Sequence, residues 1–287
     1  SERVYGTVSE NLAGRGPCYL KTEGITAEQD RSLIKAYLNM APSQTLKWIE
    51  SGKMPSQQNV EIEGTEPYIV GGHTASGYWV DTRRRTTVRG LYAAGDVSGG
   101  CPQKYVTGAL AEGEIAASAI IDDIKNIDLE NVDEHEETAY KTEAENYLTE
   151  KNTPFTAEQL EEAMQTVMDS YAGGIKTSYR FNEKQLEIAD EKIKKLLILS
   201  EELYAKDLQE LMYIYELRER LIVCRSVIAH LKARKETRWH SFAENLDYPK
   251  KSDDFKKYIN SKFENGEIKI IYRDLIKEGE DFEHCNR

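Results

Sequence analysis

The sequence predicts an α/β segment followed by an all-α bundle, and three observations carry that reading. Glycines cluster between residues 63 and 125, at Gly71-Gly72, Gly77, Gly90, Gly95, Gly99-Gly100, Gly108 and Gly113, and a small-residue helix follows most of them. Two long amphipathic patterns then run over residues 182–204 and 207–235. Residues 1–62 are mixed, with only short helical signals.

In chain order, the first clear element is a helix over residues 30–40, from the helical spacing of Leu33, Ile34, Tyr37 and Leu38, stopped by Pro42. A second helix is expected over 43–50, with Trp48 and Ile49 inward. Gly90-Leu91-Tyr92-Ala93-Ala94-Gly95-Asp96 reads as a short buried strand ending in a tight turn. Thr107 to Ile121 reads as a helix packing Ala109, Ala111, Ala116 and Ala117 on that strand. Strand, glycine loop and helix in this order make a nucleotide-binding α/β unit. The acidic stretch from Asp128 to Glu145 reads as a solvated linker or helix face. Thr156, followed by Glu158 and Gln159, opens a helix that Gly173-Gly174 ends. The two long patterns form an antiparallel helical bundle, the second lined by Leu208, Leu211, Met212, Tyr215, Leu217, Leu221, Ile222 and Ile228. Glu267 to Asp274 alternates as a late strand or hairpin arm.

Composition narrows the function. The chain has 287 residues, 39% hydrophobic and 31% charged, enough for a substantial core. Its net charge of −12 argues against a nucleic-acid partner, which needs a basic face. Four scattered cysteines, Cys18, Cys101, Cys224 and Cys285, form no CxxC pair, so no metal or iron–sulfur site of its own is expected. No stretch is apolar enough for a transmembrane segment, and with no signal peptide the expected location is cytoplasmic.

The chemistry-bearing segment is Thr86-Thr87-Val88-Arg89-Gly90-Leu91-Tyr92-Ala93-Ala94-Gly95-Asp96. A carboxylate at such a turn can meet the hydroxyls of a flavin nucleotide, and the helix that follows can aim its first amides at the flavin carbonyl edge. The segment resembles the second FAD-binding segment of flavoproteins with two dinucleotide-binding motifs. Upstream, Glu66-Pro67-Tyr68-Ile69-Val70-Gly71-Gly72-His73 resembles the fumarate reductase/succinate dehydrogenase stretch whose histidine binds a substrate carboxylate. Downstream, Cys101-Pro102-Gln103-Lys104-Tyr105-Val106-Thr107-Gly108 occupies the place where fumarate reductases carry a dicarboxylate-binding arginine. Lys104 stands there, and a lysine lacks the planar fork that grips a carboxylate with two bonds. Ala111-Glu112-Gly113-Glu114-Ile115-Ala116-Ala117 is similar to the continuation in adenylylsulfate reductase α-subunits. So is Arg234-Lys235-Glu236-Thr237-Arg238-Trp239, followed by Asp247-Tyr248-Pro249 and Asp253-Asp254-Phe255. That last motif reads as architectural, tying the helical domain to the flavin domain.

The resemblance implies the C-terminal half of a fumarate reductase/succinate dehydrogenase superfamily flavoprotein subunit, nearest the adenylylsulfate reductase branch. Gly14-Arg15-Gly16 and the strand after it then lie in a capping, substrate-lid domain. The implied domains are 1–62 (part of the capping domain), 63–125 (a segment of the FAD-binding domain) and 126–287 (helical). FAD is the implied cofactor, contacted at Gly95, Asp96, Thr107, Ala109 and Leu110 in an incomplete site, with His73 and Lys104 catalytic on an oxyanion substrate. The implied partners are the missing N-terminal FAD-binding half and a ferredoxin-like iron–sulfur subunit. The 287 residues contain no Gly-x-Gly-x-x-Gly, the motif that takes the pyrophosphate in relatives. A piece of a longer chain, a cleavage product and one half of a split flavoprotein all fit. The implied reaction is two-electron reduction of adenylylsulfate to sulfite and AMP. Reduction of a dicarboxylate or enoate, and a catalytically silent partner-binding module, are the alternatives.

Overall fold

The structure, a computed structural model, describes residues 2–40, 42–62, 76–100, 106–126, 134–238 and 244–275. The chain divides into two units, one of Ser1–Pro67 with His240–Phe242 and one of Tyr68–Trp239 with Ala243–Arg287.

The first unit holds helices α1 (Glu2–Leu12), α2 (Ala27–Met40) and α3 (Pro42–Ser51), and strands β1 (Cys18–Leu20) and β2 (Val60–Ile62). The strands pair antiparallel, Cys18 opposite Ile62 and Leu20 opposite Val60. Polar side chains close the unit. Asp30, buried on α2, accepts from the backbone N–H of Ser56, and the Thr22 hydroxyl donates to the Gln58 carbonyl. In α3 the inward pair is Thr45 and Trp48, three residues apart, with Trp48 tilted against Tyr37 at 5.2 Å between rings. Ile49 is exposed, contrary to the sequence expectation, because one further helical step turns it about 100° off that stripe.

The second unit carries α4 (Val106–Asp123), α5 (Glu134–Leu148), α6 (Ala157–Tyr171), β3 (Arg180–Phe181), α7 (Glu183–Ser200), α8 (Leu208–Ala233), β4 (Glu244–Asn245), β5 (Lys257–Glu264) and β6 (Glu267–Asp274). Its core lies among α5 to α8. Leu160, Met164 and Val167 of α6 meet Leu186, Ala189 and Ile193 of α7 and Leu211, Ile214, Leu217, Leu221 and Ile228 of α8. Thr156 caps α6 and Asn182 caps α7, each in a reciprocal capping box with the glutamine three residues on. Asp207 caps α8 by accepting from the backbone N–H groups of Gln209 and Glu210. The buried stripe of α8 excludes Leu208 and Met212, which are exposed, and includes Arg225. The charged stretch over 128–145 is helix α5 from Glu134 onward. Tyr147 of α5 is fully buried in the core.

Arg225 links the bundle to the hairpin of β5 and β6. Its guanidinium donates to Asp190 of α7 at 3.0 Å, to the Gly266 carbonyl at 2.7 Å and to Glu267 at 3.0 Å. The hairpin turns at Asn265-Gly266, where both residues have positive φ, as a tight antiparallel hairpin requires. A second polar hub sits at the end of α8. The buried Glu236 carboxylate accepts from Arg238, Arg234 and the backbone N–H of Ser252. Burial alone would raise this carboxyl, but the bonds from Arg238, Ser252 and Arg234 outweigh it and hold it below the usual carboxylate range. This is the architectural motif of the sequence. Among the described residues its bonds run to β4, the loop after it and the start of β5, not to residues 76–126.

Candidate functional site

The described residues of 76–100 and 106–126 are built around one turn. Leu91 to Asp96 does not form a regular strand. Residues 84–93 fold back on themselves, with Thr86 N–H donating to the Leu91 carbonyl and Ala93 N–H to the Arg84 carbonyl. Local pairing satisfies the backbone groups that a parallel strand would have given to neighbours. The chain then enters a single 3-10 turn, Gly95–Val97.

That turn is held from three sides. Gly95 has φ 75°, and a Cβ there would come within 3.1 Å of the Ala109 Cβ, so glycine permits both the backbone and the approach of α4. On the second side Tyr78 N–H donates to the Val97 carbonyl at 2.7 Å, and Gly99 N–H to the Tyr78 carbonyl at 2.8 Å. A Cβ on Gly77 would stand 2.6 Å from the Ser98 carbonyl carbon, a collision with backbone that cannot be relieved by rotating a side chain. On the third side Glu112 of α4, 4% exposed, accepts from Gly95 N–H at 3.0 Å and from the Ser98 hydroxyl at 2.5 Å.

The outer side of the turn carries its exposed residues. Asp96 and Val97 are exposed, while Gly95 and Ser98 are buried. Thr107 and Leu110 are exposed near the start of α4, and Ala109 is half-buried against Gly95. The first turn of α4 contains no acidic residue, and the positive end of a helix dipole favours an electron-rich group. The buried face of α4 is Glu112, Ala116 and Ala119, with Ala109. Ala111 and Ala117, expected inward, lie off this stripe and are exposed. The other face of α4 is apolar yet exposed, at Val106, Leu110 and Ile121, and Ile124 just past its end is exposed as well.

The C-terminal end of α4 is clamped electrostatically. Asp123 accepts from both Arg85 Nε and Nη2 at 2.6 and 2.7 Å, and from the Tyr92 hydroxyl at 2.6 Å. These bonds hold the Asp123 carboxyl well below the usual carboxylate range. On the far side of the segment, the Arg273 guanidinium of β6 lies 3.8 Å from the Trp79 ring centroid and 4.9 Å from that of Tyr258. Thus the hairpin reaches the residue next to the Tyr78 crossing.

Of the site residues expected from sequence, the structure brings together Gly95, Asp96 and the first turns of α4 with Thr107, Ala109 and Leu110. His73 and Lys104 lie outside the described residues. Sequence reasoning missed Glu112 and Arg84 beneath the turn, because a glutamate in a helix beside small residues reads as a solvated position. Among the described residues no cluster of metal-binding side chains occurs, and no helix is long and apolar enough to cross a membrane.

No family model matches the chain. It is 27% identical to the adenylylsulfate reductase subunit alpha of Megalodesulfovibrio gigas, over 91% of this chain and 46% of that protein. It is 28% identical to an uncharacterized FAD-dependent oxidoreductase of Methanocaldococcus jannaschii, over 67% of this chain and 35% of that protein. The chain thus spans about half the length, or less, of the curated relatives it matches. Among solved structures, adenylylsulfate reductase of Archaeoglobus fulgidus superposes with TM-score 0.82 at 27% identity, covering 96% of this chain and 50% of that one. A chain of E. coli quinol fumarate reductase superposes with TM-score 0.73 at 17% identity, covering 96% of this chain and 48% of that one, a likeness of fold alone. By its fold the chain is of the same class as these two reductase structures. Within that class it is homologous, along nine-tenths of its length, to part of the adenylylsulfate reductase alpha subunit.

Proposed function

We propose that this chain is part of a FAD-dependent oxidoreductase of the adenylylsulfate reductase type, which reduces adenylylsulfate to sulfite and AMP. The observation that carries the reading is the joint sequence and structural match to the Archaeoglobus enzyme, 27% identity at TM-score 0.82. An adenosine-5-phosphosulfate reductase in complex with sulfite, as a covalent adduct, is similar to the same degree, TM-score 0.82 at 27% identity.

The residues present fit one end of a flavin nucleotide. Gly95 lets α4 pack closely on the turn, Asp96 carries a carboxylate that suits hydroxyl groups, and Thr107, Ala109 and Leu110 stand on the first turns of α4, whose leading amides include that of Thr107. When bound, FAD would supply the two-electron chemistry; the protein's part is position and field. His73 and Lys104 would present a hydrogen bond and a positive charge to the sulfate or sulfite oxygens as negative charge develops on them.

The implied partners follow from the same reading. A dinucleotide-binding half carrying the pyrophosphate loop would complete the FAD site, and the exposed apolar face of α4 is a surface such a half would cover. A ferredoxin-like iron–sulfur subunit would deliver electrons. Residues 1–62 would be part of the lid domain, 63–125 of the flavin domain and 126–287 the helical domain. A cytoplasmic location is in keeping with the free thiols of Cys18 and Cys224.

The test is anaerobic oxidation of reduced viologen by the full-length protein. Oxidation dependent on adenylylsulfate is the expected result. Oxidation by fumarate instead would establish the dicarboxylate reading, and a protein without flavin absorbance would leave only the partner-binding module.

A further inference from the structure

Glu112 is a carboxylate buried under a turn with no cap of its own. Gly95 is the first residue of the 3-10 turn, so its N–H lacks an acceptor within the turn. The residue before it is Ala94, whose methyl cannot accept a hydrogen bond. The missing acceptor comes instead from seventeen residues away: Glu112 Oε2 takes the Gly95 N–H at 3.0 Å. The same oxygen takes the Ser98 hydroxyl at 2.5 Å, and Ser98 is the residue that closes the turn, its own N–H donating to the Gly95 carbonyl. One carboxylate therefore holds both ends of the four-residue turn that displays Asp96.

Its charge is balanced locally. The Arg84 guanidinium stands 3.5 Å from Glu112 Oε1, with Arg84 Nη1 also donating to the Asp81 carbonyl at 3.3 Å. Arg84 adopts φ 66°, an unusual conformation for a residue with a side chain, and its backbone carbonyl accepts from Ala93 just before the turn. A buried, charge-balanced carboxylate is costly where an apolar residue would pack more simply. Its retention fits a group whose task is to fix backbone donors in place.

We propose that Glu112, with Arg84 behind it, is a positioning residue for the cofactor: its carboxylate locks the Gly95–Ser98 turn and so fixes where Asp96 meets the flavin nucleotide. The proposal rests on the flavin reading of this turn and deepens it. A glutamine keeps the size and one acceptor but turns an amide N–H₂ toward Arg84, so it should loosen the turn less than alanine does.

The experiment compares the full-length protein with its Glu112→Gln and Glu112→Ala variants, by amide hydrogen exchange of residues 93–99 and by titration with FAD. Glu112→Ala is expected to speed exchange at Gly95 and Ser98, and to weaken FAD binding, each on the order of ten- to a hundredfold, the scale of a hydrogen bond to a charged group. Glu112→Gln should fall between, and the visible band of bound flavin should shift in both. Exchange in α8 should stay as in the unaltered protein, which separates positioning from general unfolding. Unchanged exchange in both variants overturns the proposal. So does faster exchange with FAD affinity and flavin spectrum unchanged. Absence of FAD binding by the unaltered protein overturns the flavin reading itself, and is seen before any variant is measured.

Discussion

The bundle of α5 to α8 and the segment from Ser76 to Asn126 are held together by different physics. The bundle buries contiguous apolar stripes, with Ile193 and Leu221 inaccessible and helix caps of ordinary kind at its ends. The segment buries little apolar surface. It is pinned by a glycine crossing, a buried carboxylate and two arginine–aspartate pairs, Arg85–Asp123 and Arg83–Asp122, and leaves the apolar outer face of α4 exposed. The difference teaches where stability and chemistry reside. Hydrophobic burial is non-directional and supplies energy, whereas hydrogen bonds to specific backbone groups supply position at small net gain.

Substitutions can break or sharpen that contrast. Leu221→Ala should cost roughly 2–5 kcal/mol of unfolding free energy, read from a denaturant melt, with little change in FAD affinity. A melt altered by less than about 1 kcal/mol would mean that the bundle is not the chief store of stability. His73→Ala and Lys104→Ala in the full-length protein should do the converse. Turnover should fall on the order of 100- to 1000-fold with flavin content and melting temperature kept, and survival within about threefold would remove both residues from the site. Lys104→Arg sharpens the comparison, since gain of fumarate reduction would assign the site to dicarboxylates.

A smaller effect is expected where the two regions meet. Arg273→Ala removes the guanidinium over Trp79, at a cost of about 0.5–2 kcal/mol, and Arg273→Lys should recover only part because it lacks the planar stack. Equal stability of all three proteins would show that the hairpin contributes nothing to the Trp79 region. The smallest effect is in acid. Asp123 is held low by Arg85 and Tyr92 in the folded state, so its contribution is complete above the unfolded carboxylate value near ~4 and is lost as pH falls below it. Asp123→Asn should lower stability at neutral pH and flatten the acid limb of the melting curve. An acid limb identical to that of the unaltered protein would count against the clamp.

Much of the bundle was legible because its signals are periodic and local. Thr156 with Gln159 announces the start of α6, and apolar residues at helical spacing announce α7 and α8. Which of two adjacent apolar residues faces inward was less legible, and Ile49, Leu208 and Met212 were misassigned because a broad apolar pattern leaves its own axis uncertain by one position. Strand β5 left a signal that could have been read: Asn265-Gly266 is the dipeptide favoured in two-residue hairpin turns. The turn at Gly95 and Asp96 was legible as a motif, but its support was not. Glu112 and Arg225 act through partners 17 and 41 residues away, and a charged residue carries no mark in the sequence that says it will be buried.

Arg225 has a further consequence, for the order in which parts of the molecule come undone. Its guanidinium bonds to α7 through Asp190 and to the β5–β6 turn through Gly266 and Glu267. If the hairpin lifts away, Arg225 keeps Asp190 and exchanges its other two acceptors for water, so no buried charge is stranded and the helices need not separate. Opening of the hairpin as a local unit, which also breaks the Tyr272–Ala233 and Ser226–Ser261 bonds to α8, therefore strands no charge at Arg225. Because Arg273 leaves with it, the cover over Trp79 goes at the same moment, and the backbone crossing beside the Gly95 turn loses a neighbour. Protection of the β6 amides and of the Trp79 amide should therefore rise and fall together, while that of α8 stays apart.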